Sequence, residues 1–196
     1  MHARLQLTIL LLMMTIDIRP LEETELHRFH FFPFGTMETH RRRFGLQQVG
    51  KLVFLVAWWE DLPVGQVLLN WMGGDSSGGP PQIRELPEVS SLFVSKSYRR
   101  IGVASQLLDV AEHMTYAHGH DQIGLCVAET NRGAQRLYIQ RGYRDRGWPP
   151  YLASGSYVAQ SGERRNWEEM RVYWVKALGE VGSKTDNGDE KKQAVD

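Results

Sequence analysis

The chain has 196 residues, 42% of them hydrophobic and 10% aromatic, enough for one ordinary domain with a filled core and too apolar for a disordered chain. Lysine plus arginine and aspartate plus glutamate number 23 each, so no global field draws the chain to nucleic acid or an anionic membrane, and any anion site must be local. The one cysteine, Cys126, excludes an intrachain disulfide framework and points to the cytoplasm; inside an apolar strand pattern it reads as a packed thiol.

Residues 5–14, LQLTILLLMM, are too short an apolar run to span a bilayer and precede no small-x-small cleavage site. They read as an N-terminal extension (1–14) to a domain covering 15–178. TIDIR (15–19) alternates like a strand, and Leu21, Leu26 and Phe29 follow with helical spacing. His40-Arg41-Arg42-Arg43 reads as a basic, solvated helix face. KLVFLVAWWED and PVGQVLLNWM form a hairpin turning at Asp61-Leu62-Pro63, with Trp58 in the core and Trp59 facing an acceptor site, or the reverse. GGDSSGGPPQ (73–82) reads as a mobile loop.

PEVSSLFV (87–94) is the next strand, with Val89 and Ser91 expected on one face and Ser90, Leu92 and Val94 on the other. After Gly102, Val103, Leu107, Val110, Ala111 and Met114 line one helical stripe, and Gly119 stops it. His118-Gly119-His120-Asp121 sits on that helix-ending turn without further ligand spacing, so no metal is expected. Strand QIGLCVA (122–128) and helix AQRLYIQR (134–141) follow; Gly142 ends the helix and Tyr143 opens a strand. Residues 144–166 read as irregular, EEMRVYWVKAL (168–178) as the last strand, and 179–196 as a disordered tail. The order β, α, ββ, β, α, β, α, β, β means an α/β (α+β) layered fold around one mixed sheet.

The stretch SYRRIGVAS (97–105) holds the clearest ligand signal. A strand ends, the chain turns, and a helix begins near Gly102, where free N–H groups and the positive end of the macrodipole attract phosphate. Gly102 lets backbone approach a ligand, Ala104 stays small, and Arg99 and Arg100 add charged donors. A Walker loop is excluded by the missing Lys after Gly, and the dinucleotide fingerprint by the single glycine. On its own, R-x-x-G-x-A is equally a solvated basic turn capping a helix.

In context, R-x-x-G-x-A after an apolar strand, followed thirty residues on by Asn131, Ala134, Leu137, Tyr138 and Gly142-Tyr143 in TNRGAQRLYIQRGY, resembles the two signatures of the GNAT N-acyltransferase superfamily. The upstream hairpin with Val64-Gly65-Gln66 extends the resemblance over residues 15–178. Alanine at 104, where many members have glycine, is a departure. The resemblance implies a mostly antiparallel mixed sheet splayed between its fourth and fifth strands (87–94 and 122–128) and flanked by helices. It implies acetyl-CoA as co-substrate, with pantetheine against the backbone of Leu92, Phe93 and Val94. Diphosphate would lie on the amides of Arg100, Ile101, Gly102, Val103, Ala104 and Ser105 beside Arg99, with the Asn131 amide nearby.

By the same resemblance an N–H near Val94 polarises the thioester carbonyl. Tyr138 is the general acid for the departing thiolate, or an aromatic core residue; Glu88 is the base, or an exposed strand-end carboxylate. The basic run at 40–43 would reach the CoA 3′-phosphate or an acidic substrate. Trp148, Tyr151 and Tyr157 either build acceptor specificity or pack over the sheet. The implied activity is transfer of an acetyl group to a primary amine of a small molecule or peptide; a non-catalytic acyl-CoA sensor is the alternative. No nucleic-acid or membrane partner is expected, and a homodimer through the last strand or the apolar N-terminus is compatible.

Overall fold

The apolar run at residues 52–59 forms β2 (Leu52–Trp59), paired antiparallel with β3 (Leu62–Asn70). The turn is made by Glu60, at φ +53°, and Asp61; Leu62 and Pro63, expected in the turn, already pair with Trp59 and Trp58. Both faces of β2 are covered: Leu55 and Ala57 enter one core cluster, Phe54, Val56 and Trp58 another. That double burial explains a strand apolar throughout rather than alternating. The computed structural model describes residues 15–73, 79, 81–159 and 161–179. The expected extension, most of the 73–82 loop and all of the expected tail but Gly179 lie outside the described residues. Pro81 and Gln82, read as loop, open a 3-10 helix, Pro81–Glu85.

Edge strand β1 (Ile16–Pro20) pairs with β2. The helical spacing that follows it becomes a 3-10 helix, Glu23–Phe31, and then α1 (Met37–Gln48), capped by Thr36 accepting from the Thr39 amide. Here the expectation of a solvated basic face holds for Arg41 and Arg42 and fails for His40 and Arg43. His40 and Phe44, four residues apart and so on one side of the helix, are both buried; Arg41 and Arg42 are exposed, and Arg43 is half-buried.

β4 (Glu88–Val94) pairs antiparallel with β3 and parallel with β5 (Gln122–Ala128). The crossover is α2 (Val103–Ala117), which buries Val103, Leu107, Leu108 and Ala111 against the sheet. From β5, α3 (Arg132–Gln140) leads to the short β6 (Arg144–Asp145). The stretch expected to be irregular contains β7 (Tyr151–Val158), and the last strand, β8 (Arg164–Ala177), is longer than expected. β8 pairs with β5 through its C-terminal half, with β7 through its N-terminal half, and with β6 at Val175 and Trp174. The sheet order is β1-β2-β3-β4-β5-β8-β6, mixed because β4–β5 is parallel. One face carries α2 and α3, the other the first 3-10 helix and α1.

Two features of β4 position the site. Its pairing with β5 stops after Glu88↔Gly124 and Val89↔Leu125, so the strands diverge beyond Val89. Its register against β3 shifts between Gln66 and Leu68, beside Ser91 in the left-handed region at φ +55°. This bulge breaks the two-residue alternation. Val89 and Val94, expected on opposite faces, both enter the α2-side cluster, while Phe93 turns to the α1 side.

Candidate active site

Where β4 and β5 part, the gap becomes a cleft of about 520 Å³ between β4, the 96–102 turn, α2 and α3. Leu92, Phe93, Val94, Arg99, Arg100, Gly102, Val103, Ala104, Ser105 and Asn131 line it together. Ile101 instead packs its side chain against the α2-side core. Tyr98, Gly133, Ala134 and Leu137 also line it, though only the last two belong to the sequence motif. Tyr98 stands on a 3-10 turn, Lys96–Tyr98, with its ring 5.4 Å from Trp59. Trp59 therefore supports the cleft wall, while Trp58 is core.

The turn is wound by two left-handed residues, Arg100 at φ +65° and Gly102 at φ +93°. Gly102 is the N-cap of α2, and the first intrahelical bond runs from the Gln106 amide to the Gly102 carbonyl. The amides of Val103, Ala104 and Ser105 thus carry no intrahelical bond and lie in the cleft wall, a donor set that fits a diphosphate. A Cβ on Gly102 would meet only Gln106 Nε2 at 3.7 Å, so the glycine answers to backbone conformation and not to crowding. Arg99 donates from Nε to the Val94 carbonyl at 2.8 Å and lies over the Phe93 ring, so it braces the end of β4 rather than simply projecting as a free cation. Asn131 caps α3, its Oδ1 accepting from the Ala134 amide at 3.1 Å, which leaves its NH₂ to face a ligand.

Tyr138 follows Leu137 on α3 but stands behind the lining, on the α2-side core, with its ring 5.8 Å from Tyr143. Burial pushes its phenol up to about 12. Glu88, read as a base or an exposed strand end, is only 3% exposed, so the exposed alternative is excluded. It belongs to the opposite face from Val89 and Tyr138. Cys126 Sγ lies 3.9 Å from Glu88 Oε2 and 2.7 Å from Tyr151 Oη. Tyr173, on the same side, has its phenol pushed far up, first by burial and then by Glu88, Cys126 and Tyr151. Tyr151 is buried, Trp148 packs at 5.5 Å on Tyr173, and Tyr157 is exposed on the hairpin. His118 stacks on Trp71 at 4.1 Å. Among the described residues no three His, Cys, Asp or Glu side chains group as metal ligands. Nor is any helix among them long and apolar enough to cross a membrane.

A family model described as the acetyltransferase (GNAT) family matches residues 18–143. The chain belongs to the GNAT acetyltransferase family. Solved GNAT structures share its fold at low identity. An N-acetyltransferase from Staphylococcus aureus Mu50 superposes with a TM-score of 0.60 at 16% identity, covering 84% of this chain and 99% of that one. A GNAT acetyltransferase from Streptococcus pneumoniae gives 0.57 at 18% identity, covering 84% and 100%. The paia N-acetyltransferase of Thermoplasma acidophilum, solved in complex with coenzyme A, gives 0.58 at 14% identity, covering 84% and 100%. The mixed sheet and its divergence at β4–β5 are thus the GNAT fold of this chain.

Proposed function

We propose that this GNAT chain is an acetyl-CoA-dependent N-acetyltransferase that acts on a primary amine by direct attack within a ternary complex, in the cytoplasm. The observation that carries this reading is the divergence of β4 from β5 beside three helix-start amides. It offers an unpaired strand edge and an anion cradle at the two ends of one cleft. Pantetheine would add to the edge at Leu92–Val94, with the diphosphate over Val103–Ser105. The acyl group then lies at the divergence, open to an amine from the α1 side.

In this reading the amine nitrogen attacks the thioester carbon, whose oxygen takes a hydrogen bond from a β4 amide. The C–S bond breaks, Tyr138 gives its proton to the sulfur, and Glu88 accepts the surplus amine proton through water; exchange with solvent restores both groups. A phenol raised to about 12 stays protonated at neutral pH, as a proton donor to thiolate must. Glu88 lies on the face from which the amine comes.

Isothermal titration of the parent chain, Arg100→Glu and Gly102→Trp with acetyl-CoA tests the cofactor half of the proposal. Both variants are expected to lose at least about tenfold in affinity, one through charge and one by filling the approach. Unchanged affinity in both would overturn the assignment of the cradle. Incubation with an amine panel separates a transferase from a sensor, because a sensor releases no free CoA.

A further inference from the structure

Among the described residues five arginines are half-buried: Arg19, Arg28, Arg43, Arg141 and Arg171. Four of them meet a carboxylate: Arg19 with Asp17 and Glu25, Arg28 with Asp61, Arg141 with Glu112 and Asp109, Arg171 with Glu169. Arg43 has no carboxylate within 4 Å among the described residues. Its guanidinium lies between the rings of Phe34 and Phe54, at 5.6 and 6.0 Å. Nη2 donates to Ser91 Oγ at 3.2 Å, and Nη1 is buried with no hydrogen-bond partner among the described residues. Burial, with Arg42 nearby, pulls its pKa down to about 10, a measure of how poorly the charge is compensated. Taking a cation out of water without a counter-ion costs several kcal/mol, so a fold seldom keeps one without use.

The position matters as much as the charge. Ser91 is the bulge residue of β4, two positions before Phe93, at the point where β4 leaves β5. Gln66, also buried on the α1 side, donates to the Ser91 carbonyl at 3.2 Å, and its own Oε1 has no partner among the described residues. Phe34, on the segment joining the first 3-10 helix to α1, stacks on Phe93 at 4.7 Å and roofs the guanidinium. A cation, a hydroxyl and an amide therefore converge beside Phe93, on the α1 side of the residue that also lines the cleft. Phe93, whose ring Phe34 stacks on, also lines the cleft, so an acceptor passing that ring comes next to Arg43.

We propose that Arg43, with Ser91, binds a carboxylate carried by the amine acceptor, so that the preferred substrates are amines of the amino-acid type, free or at a peptide terminus. This rests on the N-acetyl transfer proposed above and narrows its acceptor to one chemical class. A guanidinium takes a carboxylate through two parallel N–H bonds, a geometry that lysine cannot reproduce.

The test uses acceptor pairs that differ only in the carboxylate: lysine and cadaverine, ornithine and putrescine, tyrosine and tyramine, with a lysine-terminated peptide and its C-terminal amide as the peptide arm. CoA release gives kcat/KM for each. The parent chain is expected to prefer the carboxylated member by at least about tenfold, mostly through KM. Arg43→Met and Arg43→Lys should bring that ratio toward one. Thermal melting separates recognition from structure: replacing an uncompensated buried cation by methionine leaves Tm unchanged or raises it, whereas a purely structural arginine would lower it. The inference is overturned if the parent turns over both members equally, if the ratio survives in both variants, or if discrimination disappears only with a collapsed Tm; in each case N-acetyl transfer itself still stands. If acetyl-CoA binds yet no amine is acetylated, the transfer reading and this inference fall together.

Discussion

Tyr138 and His40 are both buried in aromatic surroundings, and in each case burial favours the neutral form. For Tyr138 the raised pKa of about 12 supplies a protonated phenol at any physiological pH. Tyr138→Phe removes the hydroxyl and little volume, so we expect turnover to fall about 10²-fold with acetyl-CoA affinity nearly unchanged, read by CoA release and calorimetry. Unaltered turnover would remove Tyr138 from the chemistry. The same shift has a stability consequence: contributed stability is complete below the unfolded phenol's pKa near 10 and is lost as pH rises through about 12. His40 runs the other way. Its imidazole, fully buried against Phe29, Phe32 and Phe54, is lowered to about 4 by desolvation first and Arg43 second. A depressed folded pKa gives stability that is complete above about 6.5 and lost as pH falls toward 4, by roughly 3 kcal/mol in all. Urea unfolding at pH 7 and pH 4.5 should show that loss in the parent and much less of it in His40→Phe; equal losses would show that His40 is not the group responsible.

At the scale of elements, the 96–102 turn and the start of α2 depend on backbone that side chains resist. Gly102→Ala puts a Cβ at φ +93° with nothing closer than 3.7 Å, so its cost is conformational, about 1–2 kcal/mol of stability. The methyl also stands at the mouth of the amide cradle, and we expect at least a several-fold weaker acetyl-CoA complex by calorimetry; full affinity would show that the amides are not the phosphate ligands. This turn was legible in the sequence because its constraint is local: one glycine, one helix start, two arginines. Arg99 was only half legible, since its bond to the Val94 carbonyl needs the strand end in place. The β7–β8 hairpin was not legible for a physical reason. Among the described residues β7 pairs with β8 alone; it buries Tyr151 and Ala153 but leaves Leu152, Tyr157 and Val158 exposed, so the apolar alternation in YLASGSYV is too short to stand out. Gly155 looks like a loop residue, yet a Cβ there would stand 2.8 Å from the Trp167 ring across the ladder. Gly124 likewise clears the way for the Tyr173 hydroxyl, which a Cβ would overlap. The Glu88–Cys126–Tyr151–Tyr173 neighbourhood depends on three strand pairings and leaves no signal in any one segment. The faces of β4 were misread because a left-handed Ser91 is invisible to an alternation rule.

For the whole molecule, the consequence of the split sheet is that one edge of β4 and the parallel strand beside it are held together at two residue pairs and otherwise by what fills the gap. A chain of zero formal net charge exerts no long-range pull on an anionic cofactor, so binding energy must come from contacts inside the cleft. Acetyl-CoA that binds only the folded state at 100 times its Kd would add about 2.7 kcal/mol. For a domain of this size each kcal/mol moves Tm by about 2–4 °C, giving an expected rise of about 5–11 °C. The rise should be unevenly supported. Amide exchange should slow most at Leu92–Val94, whose open edge gains partners, and at Val103–Ser105, whose unbonded amides gain an anion. The β1–β2 pair, already closed by its own ladder and distant in strand order from the gap, should change least. A Tm rise with protection spread evenly over the sheet would mean that acetyl-CoA stabilises the domain without entering the divergence of β4 and β5, and the strand-like docking of its pantetheine arm would have to be abandoned.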